Sequence, residues 1–147
     1  LPPLIDAKNL NKNFGKTCAL NEISFQINEG ELFGFVGPDG AGKTTTLRLL
    51  AGILDISSGT LVVDGVNMDK SAEALKPRIG YMAQQFSLYR ELSVQENLQF
   101  FAQIFNVPKH LYIQRSENLL DFAGLSKFKD RRASKLSGGM QKKLALA

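Results

Sequence analysis

The stretch Gly37-Pro38-Asp39-Gly40-Ala41-Gly42-Lys43-Thr44 decides the fold class. It is a complete P-loop set between the apolar run Leu32-Phe33-Gly34-Phe35-Val36 and the periodic segment Thr45 to Ala51. A buried strand feeding a glycine loop that opens a helix is the context this motif requires, because successive backbone N–H groups and the helix N-terminus then converge on phosphates. Both flanks supply it, so the chain reads as a binder of a nucleoside triphosphate. Gly37 and Gly40 let the loop bend and approach the phosphates without a Cβ, and Gly42 lets the first helical turn sit close to the strand. Pro38, Asp39 and Ala41 complete the loop. Lys43 is aimed at the β- and γ-phosphates, Thr44 offers a hydroxyl to Mg²⁺, and Thr45 reaches a phosphate oxygen from the same turn. Leu47, Leu50 and Ala51 are expected on the buried face of the helix, with Gly52 as its stop.

The rest of the composition is consistent with a folded unit of ordinary character. With 147 residues and 44% hydrophobic content, the chain is expected to bury one core. Lys and Arg number 18 against 14 Asp and Glu, a formal net charge of +4 spread through the chain, which gives no case for nucleic acid as a partner. The basic run from Lys127 to Lys143 reads as a solvated face. No segment reaches the roughly 18 continuous apolar residues of a bilayer span, and the N-terminus lacks a signal-peptide pattern, so the chain itself is expected in the cytosol. The lone Cys18 falls in an expected strand and reads as a small buried hydrophobe.

Along the chain, Leu4 to Leu10 and Ala19 to Ile27 read as strands joined by a turn at Asn13 to Lys16. Thr60 to Val63 and Ile79 to Met82 are further strands, and Met68 to Lys76 a short helix ended by Pro77. The apolar-run-plus-Asp pattern Leu61-Val62-Val63-Asp64 continues into Gly65, which makes it a turn signal. From Ser93 the period becomes helical. Ser93-Val94-Gln95-Glu96 is a capping box, with Val94, Leu98, Phe101, Ala102 and Phe105 on one face. A second helix spans Lys109 to Ala123 with Gly124 as its cap, and Leu119, Leu120 and Ala123 inward. Phe100, Phe101, Phe105 and Phe122 are expected to pack as core rather than to form a stacking platform for bases.

Leu136-Ser137-Gly138-Gly139-Met140-Gln141 opens the last helical segment. A P-loop followed, far downstream, by Leu-Ser-Gly-Gly resembles the ATP-binding domain of ATP-binding cassette (ABC) transporters, with Leu136 to Gln141 as the signature motif. The resemblance covers nearly the whole chain. It places Phe14, before Gly15, where the family has an aromatic residue that stacks on adenine. It gives Gln84 the role of the Q-loop glutamine, which contacts Mg²⁺ or the attacking water and senses the transmembrane partner; Gln85 is one residue out of register. Two positions depart from the usual pattern. Asp39 stands where Asn or Ser is common, adding a carboxylate near the phosphates. Met140 replaces the usual Gln, a variant that resembles drug-efflux members.

The resemblance implies an α/β P-loop NTPase fold: a parallel sheet, an antiparallel β layer, and an inserted helical subdomain. Its parts are expected at 1–86 (β layer and P-loop core), 87–135 (helical subdomain) and 136–147 (signature). The family's strand carrying the Mg²⁺-binding Asp and catalytic Glu follows the signature helix, and the sequence stops at Ala147 before it. The chain is therefore expected to bind ATP with Mg²⁺ but to hydrolyse it inefficiently alone, the parent protein being an ATPase. Lys43 and Gln84 are the catalytic candidates. Implied partners are a second ATP-binding domain, the same or different, whose ATP would meet Ser137, Gly138, Gly139, Met140 and Gln141, and a transmembrane domain moved through Phe86 to Leu92. That places the protein at the cytoplasmic face of a membrane, driving export. A soluble ABC-type ATPase acting on ribosomes or DNA, and a non-hydrolysing nucleotide-binding module, are the alternatives.

Overall fold

The computed structural model describes residues 2–84 and 88–147. The chain forms two compact units, Leu1–Tyr81 and Met82–Ala147. Each has its own apolar core, where length alone pointed to one.

The first unit is built on a four-stranded antiparallel sheet in the order β2-β1-β3-β4, from β1 (Ile5–Phe14), β2 (Thr17–Ile27), β3 (Ser58–Val63) and β4 (Val66–Asn67). This is the expected antiparallel layer. The β1/β2 hairpin runs further than the sequence pattern indicated, from Ile5 opposite Ile27 to Phe14 opposite Thr17, and turns on Gly15 at φ +57°. Side-chain oxygens hold β1 in the strand beyond its expected end at Leu10. Asn11 Oδ1 accepts from the Glu22 N–H at 3.0 Å, and Ser57 Oγ accepts from the Asn13 N–H at 2.9 Å. The extension carries Cys18 past the core, so it is exposed rather than buried. A bulge around Asn9 brings β1 so close to β3 that a Cβ on Gly59, at φ +93°, would run into the Asn9 carbonyl.

Helix α1 (Lys43–Leu50) and helix α2 (Met68–Ser71) add Leu49 and Met68 to a core of Ala7, Leu10, Leu20, Leu61 and Val63. Thr46 and Leu49 form the buried face of α1, whereas Leu47, expected inward, is 47% exposed. Apolar character alone does not orient so short a helix: Thr46 turns inward because its hydroxyl donates to the Gly42 carbonyl at 3.0 Å, satisfying the polar atom. Gly52, at φ +64°, ends α1 as expected, with Ile53 N–H on Arg48 O and Gly52 N–H on Leu49 O. After α2 a tighter 3₁₀ turn, Ala72–Arg78, runs through Pro77, which does not terminate it. Asp64 and Gly65, at φ +49° and +74°, make the two-residue hairpin turn between β3 and β4, and Asp64 pairs with Arg78.

Two expected strands do not form. Leu32 to Val36 and Ile79 to Met82 have no ladder partner among the described residues, so the parallel sheet is not assembled there. A strand exists only through its neighbour's hydrogen bonds. Leu32 and Val36 are fully exposed, while Phe33 and Phe35 hold the segment by packing on each other and on Phe25, ring centroids 5.2 to 6.0 Å apart.

The second unit contains helices α3 (Val94–Ile104), α4 (Lys109–Phe122) and α5 (Gly138–Leu146). The capping box is present: Ser93 Oγ accepts from Glu96 N–H at 3.1 Å, and Glu96 Oε2 accepts from Ser93 N–H at 2.7 Å. The bond from Ser93 N–H, with the Ser93 hydroxyl beside it, holds the Glu96 carboxyl below its ordinary pKa. Gly124, at φ +67°, caps α4, with Leu125 N–H on Leu120 O at 2.7 Å. Val94, Leu120, Ala123, Leu125, Ala133, Leu136 and Leu144 make the core. Phe100 and Phe101 pack with Tyr89, but Phe105 and Phe122 are 75% and 85% exposed, contrary to expectation. Phe105 lies one residue past α3 and Phe122 ends α4, away from the inward line of Ser116, Leu120 and Ala123.

Candidate functional site

The P-loop enters α1 through two left-handed glycines, Gly40 at φ +82° and Gly42 at φ +85°. Gly42 is the N-cap, and a Cβ there would collide with Leu20 and lie 2.8 Å from the Ala19 carbonyl. The close packing expected of Gly42 is therefore against β2. No side chain caps α1, and its first turn carries no acidic residue. Its leading N–H groups and the positive end of its dipole are left for an anion.

Lys43 spans the loop. Its Nζ donates to the carbonyls of Gly37 at 2.8 Å and Pro38 at 2.7 Å, which puts the ammonium at the mouth of the backbone turn. Ala41 N–H closes that turn on Pro38 O at 3.3 Å. Thr44 is exposed and Thr45 half-buried on the first turn of α1. Asp39 is exposed, so solvent screens its charge. Among the described residues there is no group of three His, Cys, Asp or Glu that could hold a metal ion. The donor available to Mg²⁺ in the loop is thus the Thr44 hydroxyl, a neutral oxygen that suits an ion otherwise coordinated by phosphate oxygens and water. Phe14 ends β1 at 48% exposure, with part of its ring open to a ligand.

In the second unit, Ser137 caps α5, its Oγ accepting from Met140 N–H at 3.3 Å. Ser137, Gly138 and Gly139 are exposed. Met140 instead packs on the core. Gln141 turns back: its Nε2 donates to Ala133 O at 3.0 Å and Leu136 O at 3.3 Å, fixing the lead-in to α5. Gln84 is exposed. Of the stretch Phe86 to Leu92, Phe86 and Ser87 lie outside the described residues, as does Gln85.

Two features escaped the sequence reading. Asn97, 1% exposed inside α3, donates to the carbonyls of Tyr89, Leu92 and Ser93 and accepts from Tyr89 N–H. An amide at an inward helical position was its only signal. The segment Arg90 to Gln95 also runs beside Lys129 to Ser134. Val94 N–H binds Arg131 O, Gln95 N–H binds Lys129 O, Ala133 N–H binds Leu92 O, and Ser134 N–H binds Arg90 O, all at 2.9 to 3.0 Å. Four main-chain hydrogen bonds thus tie the approach to α5 to the loop before α3. Of the basic run, Arg131 sits 4.6 Å over the Phe128 ring and Arg132 pairs loosely with Glu91 at the surface.

Known proteins share both sequence and fold. A probable multidrug ABC transporter ATP-binding protein of Escherichia coli is 35% identical over 98% of this chain and 25% of its own length. The Nod factor export ATP-binding protein I of Ralstonia nicotianae is 37% identical over 99% of this chain and 45% of its own. The chain thus spans about a quarter to a half of such relatives. Among solved structures, cbiO1 of Clostridium perfringens, part of the ABC transporter complex cbiONQ, superposes with a TM-score of 0.83 at 29% identity, covering 99% of this chain and 60% of that one. The dimeric ATP-binding cassette MJ0796 bound to ADP and Pi gives 0.82 at 26% identity, covering 97% and 67%. Residues 20–147 match the ABC transporter family, and the chain belongs to that family.

Proposed function

We propose that this chain is the ATP-binding part of an exporter, working as an ATPase at the cytoplasmic face of a membrane. In this reading the backbone of Gly37 to Thr45 cradles the phosphates and Lys43 moves from the Gly37 and Pro38 carbonyls to the β- and γ-oxygens. Thr44 holds Mg²⁺, which neutralises phosphate charge when bound, and Gln84 takes the Q-loop role. Phe14 stacks on the base. Ser137, Gly138 and Gly139 cover the γ-phosphate of a nucleotide held by a second ATP-binding domain, with the α5 N-terminus supplying N–H groups and partial positive charge. Gln141 and Met140 shape that motif from behind rather than touching nucleotide. A transmembrane partner would carry the transport; no helix among the described residues is long and apolar enough to cross a membrane.

The observation that carries this reading is the uncapped, acid-free N-terminus of α1, entered through left-handed Gly40 and Gly42 with Lys43 poised over the loop. Export is supported by relatives named for multidrug transport and Nod factor export. Titration of Lys43→Ala with a fluorescent ATP analogue tests it. The variant should lose measurable binding while keeping the wild-type circular dichroism spectrum. Unchanged affinity in a folded variant refutes the assignment.

A further inference from the structure

We propose that Lys12 positions Phe14 for the nucleotide base, its ammonium backing one face of the ring while the open face receives the purine. This rests on the reading of Phe14 as the base-stacking residue. Lys12 and Phe14 are two apart on β1 and so share a face of the strand. The Lys12 Nζ lies 5.1 Å from the Phe14 ring centroid, inside the range of a cation–π contact. It is not a free surface charge. Lys12 is half-buried, and its ammonium is anchored at 2.6 Å on the Asp55 carbonyl, in the connection between α1 and β3. The same strand end is pinned twice more, by Asn13 N–H on Ser57 Oγ and Ser57 N–H on Asn11 O, both 2.9 Å.

Two physical effects follow. A ring already held in place surrenders little side-chain freedom when a base arrives, so less of the stacking energy is lost to ordering. A cation behind the ring draws π-electron density toward itself, which lowers the repulsion between the open face and the π cloud of a purine. Lys12 never touches the nucleotide in this arrangement; it acts through Phe14.

Calorimetric titration of the full chain with Mg-ATP and with magnesium inorganic triphosphate tests this in wild type, Lys12→Met, Lys12→Arg, Phe14→Ala and the Lys12→Met/Phe14→Ala double variant. Lys12→Met should weaken ATP by about threefold, the scale of a half-exposed cation–π contact, and leave triphosphate unchanged. Lys12→Arg should stay near wild type. With Phe14 already replaced by Ala, Lys12→Met should change nothing further. The proposal is overturned if Lys12→Met weakens ATP equally in both backgrounds, or weakens triphosphate as much as ATP, since either marks a general structural role. A Phe14→Ala variant that loses ATP selectively while Lys12→Met binds like wild type removes Lys12 alone. Equal loss of ATP and triphosphate in Phe14→Ala removes the base-stacking reading itself.

Discussion

Replacing Asn97 with Ala removes four hydrogen bonds but orphans one group. The amide nitrogen donates to the carbonyls of Tyr89 at 3.0 Å, Leu92 at 3.3 Å and Ser93 at 2.9 Å, and the amide oxygen accepts from Tyr89 N–H at 2.8 Å. Each carbonyl keeps a second partner: Leu92 N–H on Tyr89 O, Ala133 N–H on Leu92 O, and Asn97's own N–H on Ser93 O. Among the described residues only the Tyr89 N–H is left without one. An unsatisfied donor costs about 1–3 kcal/mol, and the small void left by a side chain 1% exposed raises the expected loss to about 2–4 kcal/mol. Urea unfolding followed by far-ultraviolet circular dichroism measures the loss, and faster exchange of the Tyr89 amide locates it. Asn97→Asp sharpens the test. It keeps the acceptor for Tyr89 N–H but sets a carboxylate against three carbonyl oxygens, so it should destabilise at least as much at neutral pH and recover partly in acid, when protonation restores a donor. An Asn97→Ala variant within about 0.5 kcal/mol of wild type, with unchanged Tyr89 exchange, would refute the reasoning.

Gly42→Ala combines a left-handed backbone, about 1–2 kcal/mol, with overpacking against Leu20 and the Ala19 carbonyl, about 1–3 kcal/mol; thermal unfolding should show a loss of about 2–5 kcal/mol, and ATP titration a weaker site. Glu96 carries the pH dependence of the α3 cap. Its carboxyl is held below the ordinary value of 4.5 chiefly by the bond from Ser93 N–H, so its contribution is complete above that value and fades as pH falls through the lower folded one. Helix content measured against pH should fall below about 4.5 in wild type more steeply than in Glu96→Gln, whose amide oxygen keeps the Ser93 bond at every pH. Parallel curves for the two proteins would contradict this.

Motifs whose chemistry is local were legible in the sequence. The glycine loop into α1, the Ser93/Glu96 box, the Gly52 and Gly124 helix ends and the Asp64-Gly65 turn each depend on a few adjacent residues, and each forms in the structure, although the strand expected to feed the loop does not. What depends on a distant partner was not. Leu32 and Val36 have strand composition, but composition supplies no neighbour to pair with. Lys12 fell outside the expected strand because its anchor, the Asp55 carbonyl, is remote in sequence. Thr46 rather than the expected Leu47 is buried because a hydroxyl bonded to its own helix can be buried at little cost. The assignment of Ser137 to the signature came from the family resemblance, whereas the anchoring of Gln141 on Ala133 and Leu136 emerged only from the folded backbone.

The ties between Arg90–Gln95 and Lys129–Ser134 place an unusual rule on substitution. Because they are made by peptide groups, the side chains of Arg131 and Arg132 can change charge or size without loosening them. Proline is the exception. At Val94, the first residue of α3, proline would ordinarily be welcome because the N–H of that position is spare in most helices. Here that N–H is spoken for by the Arg131 carbonyl, and the N–H groups of Gln95, Ala133 and Ser134 are committed in the same way. The seam between the start of α3 and the approach to α5 therefore tolerates wide variation in surface chemistry while excluding a single residue type at four positions, two on each side.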